Sequence, residues 1–147
     1  MLKQKTIPKN LYFCKYFYRY FLIYAISSVI MAFLLIKNLT DVRIKIIPKF
    51  SILKNLQENF IDVSHACGGK GRCVTCKMQV LEGENMLNLP TNAEQNFREQ
   101  KLLKNTERLA CQVFMNNLED KNNFDIEKDL IISVPKETQL PHLEYLD

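Results

Sequence analysis

Three of the five cysteines lie within ten residues of this 147-residue chain, and thiolates grouped in this way can bind a metal cluster. Cys67, Cys73 and Cys76 have the spacing C-x5-C-x2-C. Three of the four glycines lie between the first two cysteines: Gly68, Gly69 and Gly71. Glycine lets backbone N–H groups approach sulfur closely, because it has no Cβ and tolerates positive φ. The stretch therefore predicts a loop that wraps a metal cluster.

A cluster of this kind needs a fourth thiolate, and Cys111 in the segment RLACQ (108–112) can supply it. The fifth cysteine, Cys14, is left over. A disulfide framework is typical of small secreted chains and would leave Cys14 unpaired, so it is disfavoured. Structural zinc usually takes two close pairs of ligands. Only Cys73 and Cys76 form such a pair, so zinc stays open as the less favoured alternative.

The two histidines, His65 and His142, raise the alternative of a Rieske centre, in which two histidines bind one iron. That site would need both of them and would leave Cys111 without a role. The sequence therefore favours four cysteine ligands.

The segments CGGKGRCVTC (67–76) and RLACQ (108–112) resemble those of the 2Fe–2S ferredoxins of β-grasp fold, over residues 33 to 135. The x5 gap is similar to the vertebrate and bacterial iron–sulfur-assembly type, whereas plant-type members have C-x4-C-x2-C. The loop also resembles ferredoxin modules fused to membrane adenylate cyclases. The resemblance implies an α+β fold and a 2Fe–2S cofactor. The metal ligands that it implies are Cys67 and Cys73 on one iron, and Cys76 and Cys111 on the other.

The resemblance further implies an electron carrier and not an enzyme. Such a protein passes one electron at a time between a ferredoxin reductase and an acceptor protein, and Gly68, Gly69 and Gly71 share in binding the cofactor through the backbone. The alternative is a membrane-tethered redox or cluster sensor that regulates a partner. A zinc-bound structural module is less favoured.

Charge is divided unevenly along the chain. Residues 1–57 carry ten Lys or Arg against one Asp, a net +9, whereas residues 58–147 carry ten against fifteen Asp or Glu, a net −5, which gives the total of +4. Neither part has the interleaved basic and aromatic residues of a nucleic-acid groove. We therefore expect protein partners and no nucleic acid. The acidic residues of the segment 115–128 and Asp129 could steer a basic redox partner, although a solvated loop is the simpler interpretation.

Residues 20–36 contain no charged side chain and follow an aromatic cluster at 12–18, a pattern typical of a membrane helix with interfacial tyrosines. We expect a membrane anchor at 1–32, a ferredoxin-like domain at 33–135 and a loose tail at 136–147. The expected location is a bacterial-type inner membrane with the cluster domain on the cytoplasmic side, since thiolate ligands suit a reducing compartment. The alternative is a soluble cytoplasmic protein whose translation starts at Met31.

Two predictions conflict at residues 33–36. The apolar run predicts that they end a membrane helix, whereas the fold that the resemblance implies needs them as its first strand. Val42 to Ile47 alternates as a half-buried strand and needs 33–37 as its hairpin partner. We expect further strands at 77–81 and 129–135, the latter closing the sheet. Ser51 predicts the start of one helix, and the capping box from Thr91 to Glu94 predicts another that runs to about Lys104.

Overall fold

The computed structural model describes residues 32–40, 42–116 and 129–146, which all belong to one compact unit, Met31–Asp147. The predicted membrane anchor lies outside the described residues except for Ala32, and so does the acidic segment 117–128. Within the described ranges no helix has the length and apolar character needed to cross a membrane.

Residues 33–36, for which a membrane helix and a strand were both predicted, form a strand. Strand β1, Phe33–Ile36, pairs antiparallel with β2, Val42–Lys45, and Phe33 lies opposite Lys45. Leu34 and Ile36 are completely buried. The predicted hairpin is therefore confirmed, and residues 33–36 contribute their apolar side chains to the core of the domain.

The described residues form a five-stranded mixed sheet with the order β2-β1-β5-β3-β4. Strand β3 is Lys77–Glu82, β4 is Glu107–Leu109 and β5 is Leu130–Ser133. Strand β5 runs parallel to β1 and antiparallel to β3. The strand predicted at 129–135 is therefore confirmed, and it lies at the centre of the sheet, between β1 and β3. Leu130 and Ile132 are buried in this central strand, which has a neighbour on each side.

Helix α1, Ile52–Glu58, begins at Ser51 as predicted, with the Ser51 hydroxyl accepting a hydrogen bond from the Lys54 N–H at 3.2 Å. Its buried side chains are Ile52, Leu53, Asn55 and Leu56. The helix ends in a Schellman motif: the Ile61 N–H donates to the Leu56 carbonyl, the Phe60 N–H donates to the Gln57 carbonyl, and Phe60 has φ of 59°.

Helix α2, Asn92–Glu99, has the predicted capping box of Thr91 and Glu94 but is shorter than expected. It also ends in a Schellman motif, with Lys101 at φ of 59° and the Leu102 N–H donating to the Phe97 carbonyl at 2.9 Å. This turn buries Leu103 and leads the chain to β4. No glycine marks the end of α2, which is why the sequence predicted a longer helix.

The C-terminal segment contacts the domain. A short 3-10 helix, Lys136–Thr138, follows β5, and Leu143 and Tyr145 pack against the hydrophobic core. The Leu146 N–H donates to the Asn38 carbonyl at 2.9 Å. A loose tail was expected at 136–147, and its described part, 136–146, has these contacts. A further 3-10 turn, Glu84–Met86, follows β3.

Candidate metal centre

The sheet brings two cysteines together that are distant in sequence. Strand β3 begins directly after Cys76, and its first residue, Lys77, lies opposite Leu109 of β4, two residues before Cys111. The Ala110 N–H donates to the Cys76 carbonyl at 3.0 Å. The two Sγ atoms are 3.5 Å apart. The antiparallel pair of β3 and β4 therefore places the thiols of Cys76 and Cys111 side by side.

The other two cysteines form a second pair in the loop between α1 and β3. Hydrogen bonds from the Arg72 backbone N–H and the Cys73 thiol, together with one from the Lys70 N–H, lower the pKa of Cys67 to about 7 against the opposing effect of burial. The Cys73 Sγ lies 3.1 Å from the Thr75 Oγ1, which also accepts the Ala66 N–H at 2.9 Å. Cys67 and Cys73 are half-buried, whereas Cys76 and Cys111 are buried.

A hydrogen bond joins the two buried thiols. The hydrogen bond from the Cys76 thiol to Cys111, reinforced by burial, raises the pKa of Cys76. The same bond lowers the pKa of Cys111 to about 6, with help from the Gln112 side chain and the Gly71 backbone N–H. The Gln112 Nε2 is 3.6 Å from the Cys111 Sγ. These donors stabilise the thiolate form, which is the form that binds metals.

The loop glycines have the conformation that the sequence predicts. Gly68, Gly69 and Gly71 have φ of 67°, 77° and 65°, a region that other residues enter only at a cost. A Cβ on Gly71 would lie 2.9 Å from the Gln112 Cδ, and one on Gly69 would lie 3.9 Å from the Cys111 Cβ. The loop therefore lies against the segment that carries the fourth cysteine.

The donor set fits a cluster with two metal ions. All four cysteines are free, and they occur as two pairs. A tetrahedral metal with thiolate bonds of about 2.3 Å, the length found for zinc, separates two sulfurs by about 3.8 Å, close to the spacing of Cys76 and Cys111. Among the described residues no three His, Cys, Asp or Glu side chains are gathered around a position for one ion.

The structure gives the histidines other partners. The His65 Nδ1 is 2.6 Å from the Val63 carbonyl, and its Nε2 faces the Gln57 side chain. The His142 Nε2 lies 3.3 Å from the Asp62 carboxylate. Sequence reasoning assigned no role to Thr75 or Gln112, which contact cysteine sulfurs. Their positions in the sequence could have indicated these contacts, since Thr75 follows Cys73 by two residues and Gln112 directly follows Cys111.

Comparison with known proteins identifies the family. Residues 37–116 match the model of the 2Fe-2S iron-sulfur cluster binding domain. The 2Fe-2S ferredoxin-5 of Aquifex aeolicus is 34% identical over 71 residues, which are 48% of this chain and 74% of that protein. A component of the Na(+)-translocating NADH-quinone reductase of Psychrobacter cryohalolentis is 38% identical over 81 residues, but these cover only 19% of that protein and 52% of this chain.

A solved structure has the same fold. The ISC-like [2Fe-2S] ferredoxin from Pseudomonas putida superposes with a TM-score of 0.57 at 24% identity, covering 80% of this chain and 97% of that one. The mixed sheet is therefore that of the ferredoxin-like β-grasp fold. The chain belongs to the family of 2Fe–2S ferredoxins, electron carriers whose cofactor is a 2Fe–2S cluster.

Proposed function

We propose that Cys67, Cys73, Cys76 and Cys111 hold the 2Fe–2S cluster, with Cys67 and Cys73 on one iron and Cys76 and Cys111 on the other. The observation that carries the proposal is the pairing of the thiols. The Cys76 and Cys111 sulfurs are 3.5 Å apart, and the Cys73 thiol is near enough to Cys67 to lower its pKa. The resident cluster supplies reversible uptake of one electron.

The backbone and side chains around these sulfurs favour the reduced form. N–H groups of Lys70 and Arg72 point to Cys67, and the Gly71 N–H and the Gln112 amide point to Cys111. Such donors stabilise negative charge on sulfur, and an added electron increases that charge. Removing a donor is therefore expected to make the reduction potential more negative.

The two pairs of cysteines differ in their exposure to solvent. The more exposed pair marks the side of the protein on which we propose that electrons are exchanged. Cys76 and Cys111 are only 4% and 6% exposed, whereas Cys67 and Cys73 are half-buried in a loop at the surface. A partner can approach the loop side closely. We infer that the protein accepts an electron from a reductase and delivers it to an acceptor protein on this side.

A membrane tether is the second part of the proposal and concerns residues 1–32. The support is the uncharged run that starts at Tyr20 and the aromatic residues before it. Strand β1 begins at Phe33, the residue that follows the proposed leader in the sequence. The location proposed is the cytoplasmic side of a bacterial-type inner membrane.

Anaerobic reductive titration tests the carrier function. The full chain should contain iron and sulfide in equal amounts, take up about one electron per cluster, and then show the electron paramagnetic resonance signal of a reduced 2Fe–2S centre. Reoxidation by a cytochrome should restore the starting absorption spectrum. A colourless, zinc-loaded protein without this signal would contradict the proposal.

A further inference from the structure

We propose that the surface around the cluster loop docks a redox partner that presents acidic side chains around an apolar centre. This inference rests on the proposed electron-carrier function and specifies the chemistry of the partner. It is carried by two neighbouring features of the surface, a pair of basic side chains on the loop and a pair of exposed apolar side chains beside it.

The basic pair consists of Lys70 and Arg72, which lie between Cys67 and Cys73. Both are exposed, and neither forms a salt bridge with any residue that the structure describes. No acidic residue occurs from His65 to Cys76. The loop that covers the half-buried cysteines therefore presents positive charge to a protein that approaches it.

Two acidic side chains, Glu107 and Glu137, share the ammonium of Lys77, the residue that follows Cys76. Glu107 and Glu137 both lie within 4 Å of the Lys77 ammonium, at 3.9 and 3.8 Å. Exposed carboxylates occur where β3 ends, away from the cysteines, at Glu82 and Glu84. Because β3 starts at the cysteines and runs away from them, these charges lie at the opposite end of the sheet.

The apolar pair is Leu89 and Phe114, which are 87% and 42% exposed. Asn88 links them, since its N–H donates to the Phe114 carbonyl at 3.0 Å. Its side-chain amide donates to the Gln112 carbonyl at 3.2 Å, so Asn88 is tied to the residue that follows Cys111.

The Gln112 side chain lies against Gly71, which separates Lys70 from Arg72. Through Asn88 and Gln112 the apolar pair is thus continuous with the basic pair. Large apolar side chains left open beside a charged rim are typical of a protein-binding surface.

The charge of this surface selects the partner. Positive side chains attract a carboxylate-rich surface over about a Debye length, roughly 10 Å at 0.1 M salt, and orient it before contact. The apolar pair then excludes water from the contact. A partner with lysines around its redox centre would be repelled by the same residues.

Electron transfer to two charge forms of one acceptor tests this proposal. The probes are ferric cytochrome c, whose surface is rich in lysine, and the same protein with its lysines succinylated. One electron passes from the reduced protein to the ferric haem in both cases. Stopped-flow rates at low and high salt should be measured for the wild type, Lys70→Gln and Arg72→Gln. Lys45→Gln, at an exposed lysine of strand β2, is the matched control.

The quantity to compare is the ratio of the rate with succinylated cytochrome to the rate with native cytochrome. If a substitution changes the reduction potential of the cluster, it changes the rates with both cytochromes in the same direction. The effect therefore largely cancels from this ratio. At low salt each loop substitution should lower the ratio about threefold, the control should leave it unchanged, and high salt should abolish the difference.

Cross-linking gives a second reading that needs no electron transfer. A carbodiimide should join Lys70 to carboxylates of the succinylated cytochrome in preference to Lys45. Equal ratios in all four proteins, or equal cross-linking at both lysines, would overturn the proposal while leaving the carrier function intact. A wild type that shows no reducible cluster would instead overturn the proposed function and this inference with it.

Discussion

Glu94 and Arg108 form a buried, bidentate ion pair that joins helix α2 to the strand leading to Cys111. The Arg108 Nε donates to the Glu94 Oε1 at 2.9 Å, and a second guanidinium nitrogen donates to Oε2 at 3.2 Å. The Leu109 N–H also donates to Oε1, at 2.9 Å. Both side chains are almost completely buried. One carboxylate thus completes the capping box and holds β4 two residues before the fourth cysteine.

We expect Glu94→Gln to lower the free energy of unfolding by about 3 kcal/mol at pH 7, because it leaves the buried Arg108 guanidinium without a counter-charge. Chemical denaturation followed by circular dichroism measures this loss. Glu99→Gln on the exposed part of α2 is the matched control and should change stability little. Equal stabilities of the two variants would contradict the role assigned to the ion pair.

The Glu94 carboxylate should also make the stability of the fold depend on pH. Burial would raise the pKa of Glu94, but the hydrogen bonds from Arg108, Leu109 and Thr91 outweigh it and lower the pKa below the usual value of 4.5. A lowered folded-state pKa stabilises the fold above pH 4.5, and this contribution is lost as the pH falls through the folded-state value. The stability difference between wild type and Glu94→Gln should therefore shrink below pH 4.5. A difference that stays constant down to about pH 3 would contradict this assignment.

Local signals predicted much of the fold and the site from sequence. The capping box at Thr91, the hairpin of β1 and β2, and the positive φ of the loop glycines depend on residues close in sequence, and all are present. The pairing of Glu94 with Arg108 spans 14 residues. It depends on where α2 packs on the sheet, just as the central place of β5 depends on the pairing of distant strands. Strand β4 has only three residues, which are too few to show the alternation of apolar and polar side chains by which a strand is predicted.

Phe60 provides a test of backbone strain, since it has φ of 59° and its side chain is 97% exposed. A non-glycine residue pays about 1–2 kcal/mol in this region, and glycine gives back part of that through its greater freedom when unfolded. We expect Phe60→Gly to raise the free energy of unfolding by about 0.5–1 kcal/mol. Phe60→Ala removes the ring but keeps the Cβ, so it should give no gain. An equal gain in both variants would show that the ring, and not the backbone, is the cause.

Gly71 and Gly68 form a matched pair for the role of Gln112. Both have positive φ, but a new Cβ meets the Gln112 amide only at Gly71, and at Gly68 nothing lies within 4 Å. Gly71→Ala should displace that amide from the Cys111 sulfur and make the reduction potential more negative than in Gly68→Ala. Protein-film voltammetry measures both potentials, and Gly71→Val should additionally lose iron. Identical potentials in the two alanine variants, or full iron content in Gly71→Val, would contradict this explanation.

The proposed membrane tether predicts the behaviour of the full chain in cells. The protein should sediment with membranes, resist extraction by high salt and be released by detergent, because an apolar helix is held by lipid and not by charge. A chain that starts at Met31 is the control and should stay in the supernatant. A red, soluble product of the full gene whose first residue is Met31 would refute the tether.

The most direct test of the central claim is the absorption and electron paramagnetic resonance spectrum of each Cys→Ser variant, with iron content measured on the same samples. Substitution at any of Cys67, Cys73, Cys76 and Cys111 should abolish or strongly alter the spectrum of the 2Fe–2S cluster, because an alcohol replaces thiolate poorly as a ligand of iron. Cys14→Ser should leave spectrum and iron content unchanged. A native spectrum in Cys111→Ser together with its loss in Cys14→Ser would contradict the proposed ligand set.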